Sequence, residues 1–235
     1  NMDASQVLKQ YFGYDSFRKG QSDIIEAILQ GQDALAIMPT GAGKSVCYQV
    51  PAMLLSGITI VISPLISLMQ DQVKSLNEAG INAAYINSTL SEQQMYKALD
   101  YAAQGKYKII YVAPERLETM SFMTFAQKAD ISMVTIDEAH CISQWGQDFR
   151  PSYLKIVDFI DSLPERPVVS AFTATATSEV KTDIECILKL KSPKLVVTGF
   201  DRKNLYYSVE HLSGKKKDAY IAAYIKEHMD ESGII

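Results

Sequence analysis

Met38-Pro39-Thr40-Gly41-Ala42-Gly43-Lys44-Ser45 follows the apolar run 34–38 and opens a helical pattern. A strand that hands a turn of small residues to a helix start presents backbone N–H groups in a tight curve. Thr40, Gly41, Ala42 and Gly43 supply that curve, which can wrap a polyphosphate. Lys44 sits where it neutralises the outer phosphates and Ser45 where its hydroxyl reaches Mg²⁺. The strict form of this pattern has glycine six residues before the lysine, and Met38 stands there. A glycine-rich strand-to-helix turn with an exposed lysine is the plain alternative.

Far downstream, Asp137-Glu138-Ala139-His140 terminates a second apolar run, 133–136. Asp137 is placed to hold a metal's water shell and Glu138 to polarise an attacking water. Acidic residues complementing a helix dipole would also explain two carboxylates after a strand. That alternative leaves unexplained why they end a buried strand in the same chain as the glycine-rich loop. Together the segments point to nucleoside triphosphate hydrolysis.

Short apolar runs rich in β-formers occur at 34–38, 58–62, 83–86, 109–112, 133–136, 168–172 and 195–198. Helical patterns lie between them at 65–79 (closed by Gly80), 92–104 (closed by Gly105) and 178–188. Strands apolar on both faces and separated by helices predict an α/β fold, a parallel sheet with helices on each face. In such sheets ligands bind at the carboxyl ends of the strands, where both acidic box and glycine loop fall. From about Lys189 the chain turns basic, ending in Lys215-Lys216-Lys217, and a further helical pattern spans 218–229. Residues 1–198 are expected to form the sheet domain, 199–214 a linker and 215–235 the start of a second lobe. Gly233-Ile234-Ile235 reads as the opening of a strand.

The 235 residues are 47% apolar and 21% charged, ordinary values for a globular chain with a real core. A formal charge of −4 gives no general reason to expect a polyanionic partner, so any such contact must be local. The three cysteines, Cys47, Cys141 and Cys186, are scattered without a Cys-x-x-Cys pair, which argues against a zinc site and a disulfide framework and points to a reducing compartment. Met2 reads as the natural start, with Asn1 an added residue. No segment has the pattern of a signal peptide or the apolar length of a membrane span.

The remaining motifs narrow the reading. Leu8-Lys9-Gln10-Tyr11-Phe12-Gly13-Tyr14-Asp15-Ser16-Phe17-Arg18-Lys19-Gly20-Gln21 precedes the loop. Val61-Ile62-Ser63-Pro64-Leu65 and Tyr111-Val112-Ala113-Pro114-Glu115-Arg116 each end a strand and turn through proline. Cys141-Ile142-Ser143-Gln144-Trp145-Gly146-Gln147-Asp148-Phe149-Arg150-Pro151 directly follows the acidic box, and Ala171-Phe172-Thr173-Ala174-Thr175-Ala176-Thr177 follows a later strand. This set resembles RecQ-type DNA helicases of superfamily 2, over essentially the whole chain, as the first of two RecA-like lobes.

The resemblance implies ATP and Mg²⁺ as ligands. It places Tyr14 and Arg18 against adenine, with Gln21 reading its edge, since one amide both donates and accepts. His140 joins Lys44, Asp137 and Glu138 in the catalytic set. Ser63, Gln144, Trp145, Phe149, Arg150, Thr173 and Thr175 fall on the nucleic-acid side. The aromatics offer π-faces for unstacked bases, Arg150 suits a phosphate, and the polar neighbours Ser143, Gln144, Gln147 and Asp148 favour an exposed loop. On composition alone, the aromatics would equally pack a local core, and the threonines would cap the next helix.

The family's loop carries histidine where Gln147 stands here, so any charge-based role of that position is lost while hydrogen bonding remains. Residues 198–205 resemble the crossover into the second lobe. The implied activity is ATP-dependent, 3′-to-5′ DNA unwinding in recombination or repair, on single-stranded and partly duplex DNA. A superfamily 2 RNA helicase and a non-hydrolysing ATP-gated clamp are the alternatives. The resemblance also implies a cytoplasmic protein (at the nucleoid in a bacterium), and a fragment that is monomeric and poorly active by itself. An arginine finger from an opposing lobe is worth roughly 10³–10⁵ in rate.

Overall fold

The computed structural model describes residues 2–199 and 206–234. Asn1, Ile235 and most of the crossover expected at 198–205 lie outside the described residues. The chain divides into two compact units, residues 1–200 and 201–235.

In the first unit, β1 (Ala34–Ile37), β2 (Ile58–Ile62), β3 (Ala83–Ile86), β4 (Ile109–Val112), β5 (Ile131–Ile136), β6 (Val168–Thr173) and β7 (Lys194–Val197) form one sheet, ordered β3-β4-β2-β5-β6-β1-β7. Every pairing in it is parallel. The helices are α1 (Ala4–Phe12), α2 (Gln21–Leu29), α3 (Lys44–Leu54), α4 (Ile66–Glu78), α5 (Glu92–Ala103), α6 (Met120–Lys128), α7 (Lys155–Ser162) and α8 (Ser178–Ile187). Each expected strand is present, with ends within two residues of the apolar run.

Strand side chains alternate between two apolar layers. Ile58, Ile60 and Ile62 of β2 pack with Met95 and Leu99 of α5, Phe122 of α6, Phe159 of α7 and Ile184 of α8. Val61 points the other way, to Ile24 of α2, Tyr48 of α3 and Met69 of α4. Burial on both faces explains why the runs read as continuous rather than alternating hydrophobics. Local signals set the helix starts. Ser91 accepts from Gln94 N while the Gln94 side chain accepts from Ser91 N, a reciprocal cap that begins α5.

At the amino end of the sheet, opposite the glycine loop, Asp33 ties three strands together. It is 2% exposed and accepts from both terminal nitrogens of Arg166, at 3.1 and 2.6 Å. It also accepts from Val169 N at 3.0 Å and Lys191 N at 2.7 Å. Val169 lies in β6 and Lys191 just before β7, the two strands flanking β1.

The second unit contains α9 (Gly214–Glu227), which has no buried residue. The strand expected from Gly233 does not form at 233–234. An isolated strand has no ladder to satisfy its backbone, and among the described residues of this unit nothing supplies one.

Candidate nucleotide and nucleic-acid site

The glycine loop leaves the carboxyl end of β1 and enters α3. Gly41 and Gly43 have φ of +84° and +81°, the left-handed region that glycine enters freely. A Cβ on Gly43 would lie 2.5 Å from Gln21 Nε2, so a side chain there would displace the amide that holds the loop. Lys44 Nζ donates to Met38 O at 3.1 Å, folded onto the loop it belongs to. Ser45 is partly exposed.

The segment before α2 holds this loop from below. Gln21 is buried; its Nε2 donates to Gly43 O at 3.0 Å and Ala42 O at 3.3 Å, and its Oε1 accepts from Arg18 N at 2.8 Å. Arg18 donates to Gly41 O. The expected reading of adenine by Gln21 starts from an amide already engaged with the loop. Its amide is spent supporting the loop, and reading a base requires it to swing out. Tyr14 is half exposed and free to stack.

The acidic box sits two strands away, at the end of β5. Asp137 is 9% exposed, its Oδ1 accepting from Glu138 N at 3.0 Å. The Tyr153 hydroxyl donates to Asp137 O at 2.8 Å. Tyr153 carries no motif signal, and sequence reasoning missed it. Burial first, then the neighbouring Glu138 charge, pushes the Asp137 carboxyl from 3.8 to about 6, while Lys44 pulls it down. Burial and the Glu138 charge both disfavour the ionised Asp137 carboxyl, and a divalent cation held there would relieve that cost.

That shift has a consequence for stability. A carboxyl that binds its proton more tightly in the folded chain destabilises folding as pH rises from about 4 to 6. The whole penalty is then present at neutral pH. Asp137→Asn removes it, so thermal melts without Mg²⁺ should show a higher Tm than the unsubstituted chain at pH 7.5. Below pH 4 the two should coincide.

Glu138 takes a left-handed backbone, φ +49°, uncommon for a non-glycine residue and here placed at the candidate chemistry. His140 Nδ1 lies 3.3 Å from Glu138 Oε2 and 2.9 Å from Thr173 Oγ1 at the end of β6. Thr173 Oγ1 in turn donates to Thr175 O at 3.1 Å. Thr175 thus joins through its carbonyl rather than its hydroxyl, and Thr177, not Thr173 or Thr175, caps α8 by accepting from Val180 N.

The aromatic loop is fastened to this box. A Cβ on Gly146 would lie 2.6 Å from His140 O, so only glycine allows the approach. Ser143, expected at the surface, is buried instead, donating to Asp183 Oδ2 of α8 at 2.6 Å. Trp145 is 76% exposed and Gln144 is exposed, whereas Phe149 is half-buried. Arg150 donates to Asp148 Oδ2 at 2.9 Å and to Pro64 O at 3.4 Å, an ion pair rather than an open phosphate ligand. Ser63 is 1% exposed and its Oγ has no partner among the described residues. A contact between this hydroxyl and a strand phosphate would require the end of β2 to open.

The sequence profile of DEAD/DEAH box helicases matches residues 18–183. The ATP-dependent DNA helicase RecQ of Bacillus subtilis (strain 168) is 50% identical over 99% of this chain, which spans 39% of that protein's length. RecQ of Haemophilus influenzae is 44% identical over 99% of the chain and 37% of its own length. Among solved structures, a hypothetical ATP-dependent RNA helicase from Sulfolobus tokodaii superposes with a TM-score of 0.63 at 20% identity. That alignment covers 83% of this chain and 56% of the other, and it speaks to the fold alone.

Proposed function

The chain belongs to the DEAD/DEAH box helicase family, and we propose that it is the first, ATP-binding lobe of a RecQ-type DNA helicase. It spans about two-fifths of the length of its RecQ relatives. The activity proposed is therefore that of a longer protein, which hydrolyses ATP to move 3′ to 5′ along single-stranded DNA in recombination or repair. Such a protein works in the cytoplasm, at the nucleoid if bacterial. Among the described residues no helix is long and apolar enough to cross a membrane.

One observation carries the proposal. His140 touches both Glu138 and Thr173, and its own carbonyl is where Gly146 brings the Trp145 loop against the box. A base stacking on Trp145 thus has a short physical route to the group that polarises water. The loop N–H groups of 40–45 and the Lys44 ammonium hold the triphosphate of ATP, with Tyr14 and Arg18 beside adenine. Ser45 and Asp137 would hold Mg²⁺, which neutralises charge between the phosphates. Glu138 orients the attacking water and takes its proton. Gln144, Trp145, Phe149 and Arg150 face the strand, Arg150 after leaving Asp148.

Residues 1–198 form this lobe, 199–214 the linker, and 215–235 begin a second lobe. By itself the chain is monomeric, binds ATP·Mg²⁺ weakly and does not unwind DNA, because transition-state charge from the opposing lobe is missing. Stacking on an aromatic contributes about 1–3 kcal/mol per base. Trp145→Ala in the longer protein should therefore weaken single-stranded DNA binding roughly 5- to 150-fold, read by fluorescence anisotropy of a labelled oligonucleotide. The proposal itself is tested by unwinding assays with ATP and Mg²⁺. Duplexes with a 3′ single-stranded tail should open, and a preference for 5′-tailed or RNA duplexes would overturn it.

A further inference from the structure

We propose that His140, Cys141 and Asp148 form a binding site for a thiophilic divalent cation such as Zn²⁺, distinct from the Mg²⁺ position at Ser45 and Asp137. The ligand atoms of the three residues all lie within 4.8 Å of one another. Cys141 Sγ is 3.9 Å from His140 Nε2 and 3.9 Å from Asp148 Oδ2. A tetrahedral zinc with its usual bonds to sulfur and nitrogen needs those two ligands roughly 3.5 Å apart. The two sulfur edges are therefore within a few tenths of an ångström of that spacing, while the His140–Asp148 edge, within 4.8 Å, closes by rotation of the exposed Asp148 side chain.

The histidine is already prepared for ligation. Its Nδ1 faces Glu138 Oε2 at 3.3 Å and Thr173 Oγ1 at 2.9 Å, leaving Nε2 directed at the cysteine sulfur. Metal-bound histidines are commonly oriented by such a carboxylate or hydroxyl on the far nitrogen. Asp148 Oδ2, the oxygen that faces the thiol, also accepts from Arg150 Nε and Nη2, so a metal there shares that oxygen with the guanidinium. Thiolate with imidazole selects zinc over magnesium, which prefers oxygen throughout. On binding, the Cys141 S–H bond breaks, its proton passes to solvent, and the sulfur lone pair forms the metal bond.

Cys141 is buried and Asp148 exposed, so the cation enters from the Asp148 side. A cleft of about 240 Å³ lined by His140, Trp145, Gly146, Gln147 and Thr177 opens beside it. Cys141 and Asp148 bracket the residues that include Trp145. A bound ion closes this loop into a ring and pins it to the acidic box, acting as a reversible brake on its movement.

Cobalt(II) titration of the 235-residue chain tests this, in a Cys186→Ser background that removes the exposed thiol. The expected result is one ion per chain, with a sulfur-to-cobalt charge-transfer band and tetrahedral visible bands. The fluorescence of Trp145, the only tryptophan, should change in step, and zinc should displace the cobalt. Cys141→Ser should abolish the charge-transfer band, and Asp148→Asn, at an exposed position that leaves the fold intact, should weaken binding at least about tenfold. Absence of a thiolate band, or unchanged affinity in Asp148→Asn, overturns the proposal.

Discussion

Glu138→Gln in the longer protein should lower ATP turnover by about 10²–10⁴-fold, the usual contribution of a positioned general base. The substitution keeps the side chain's size and its reach toward His140, 3.3 Å away, but removes the charge that takes a proton from water. Binding should survive, because the glycine loop, Lys44 and Gln21 form their contacts without Glu138. Losing a negative neighbour also eases the burden on Asp137, whose carboxyl Glu138 helps to push up. Metal-dependent ATP affinity should therefore be unchanged or slightly tighter. Single-turnover hydrolysis and equilibrium binding, measured on the same preparation, separate the two effects. Unchanged turnover would move the general base to another residue, and lost binding would make Glu138 a structural part of the nucleotide pocket.

Asp33→Ala should be the most damaging substitution for stability, although it lies at the far end of the sheet from the chemistry. Removing one member of a buried ion pair costs about 3–5 kcal/mol. The Arg166 side chain retains 28% exposure and recovers part of its hydration, which favours the low end. Two backbone N–H groups, of Val169 and Lys191, lose their acceptor in the same step. For a chain of this size, about 3 kcal/mol corresponds to a fall in Tm of roughly 6–12 °C. Arg166→Ala should cost less, since Asp33 keeps its two backbone donors. Differential scanning calorimetry of both variants checks the order. Equal losses would mean that the ion pair, rather than the backbone anchoring, carries the effect.

The fold could be read because buried parallel strands leave an unambiguous mark. Ile58 through Ile62 is apolar on both faces, and Gly80 and Gly105 close their helices at positive φ. The order of the strands could not, since a crossover helix of similar length serves several neighbouring positions. Asp33 carries no motif signal, and its role shows only once the strands beside it are known. Tyr153 reads as core, and only its position under β5 shows the hydroxyl donating to Asp137 O. Within the site, residue types announced the loop and the box, while side-chain direction decided the rest. Gln21 and Ser63 sit in segments that suit ligands, yet one faces inward to the glycine loop and the other is buried just past the end of β2. Motifs locate backbone; which way a short polar side chain turns depends on packing partners distant in sequence.

The most direct test of a DNA-driven ATPase is turnover by the longer protein with no polymer, with single-stranded DNA and with RNA of equal length. Strong stimulation by DNA and little by RNA is the predicted result. Equal or greater stimulation by RNA, or none by either polymer, would contradict it.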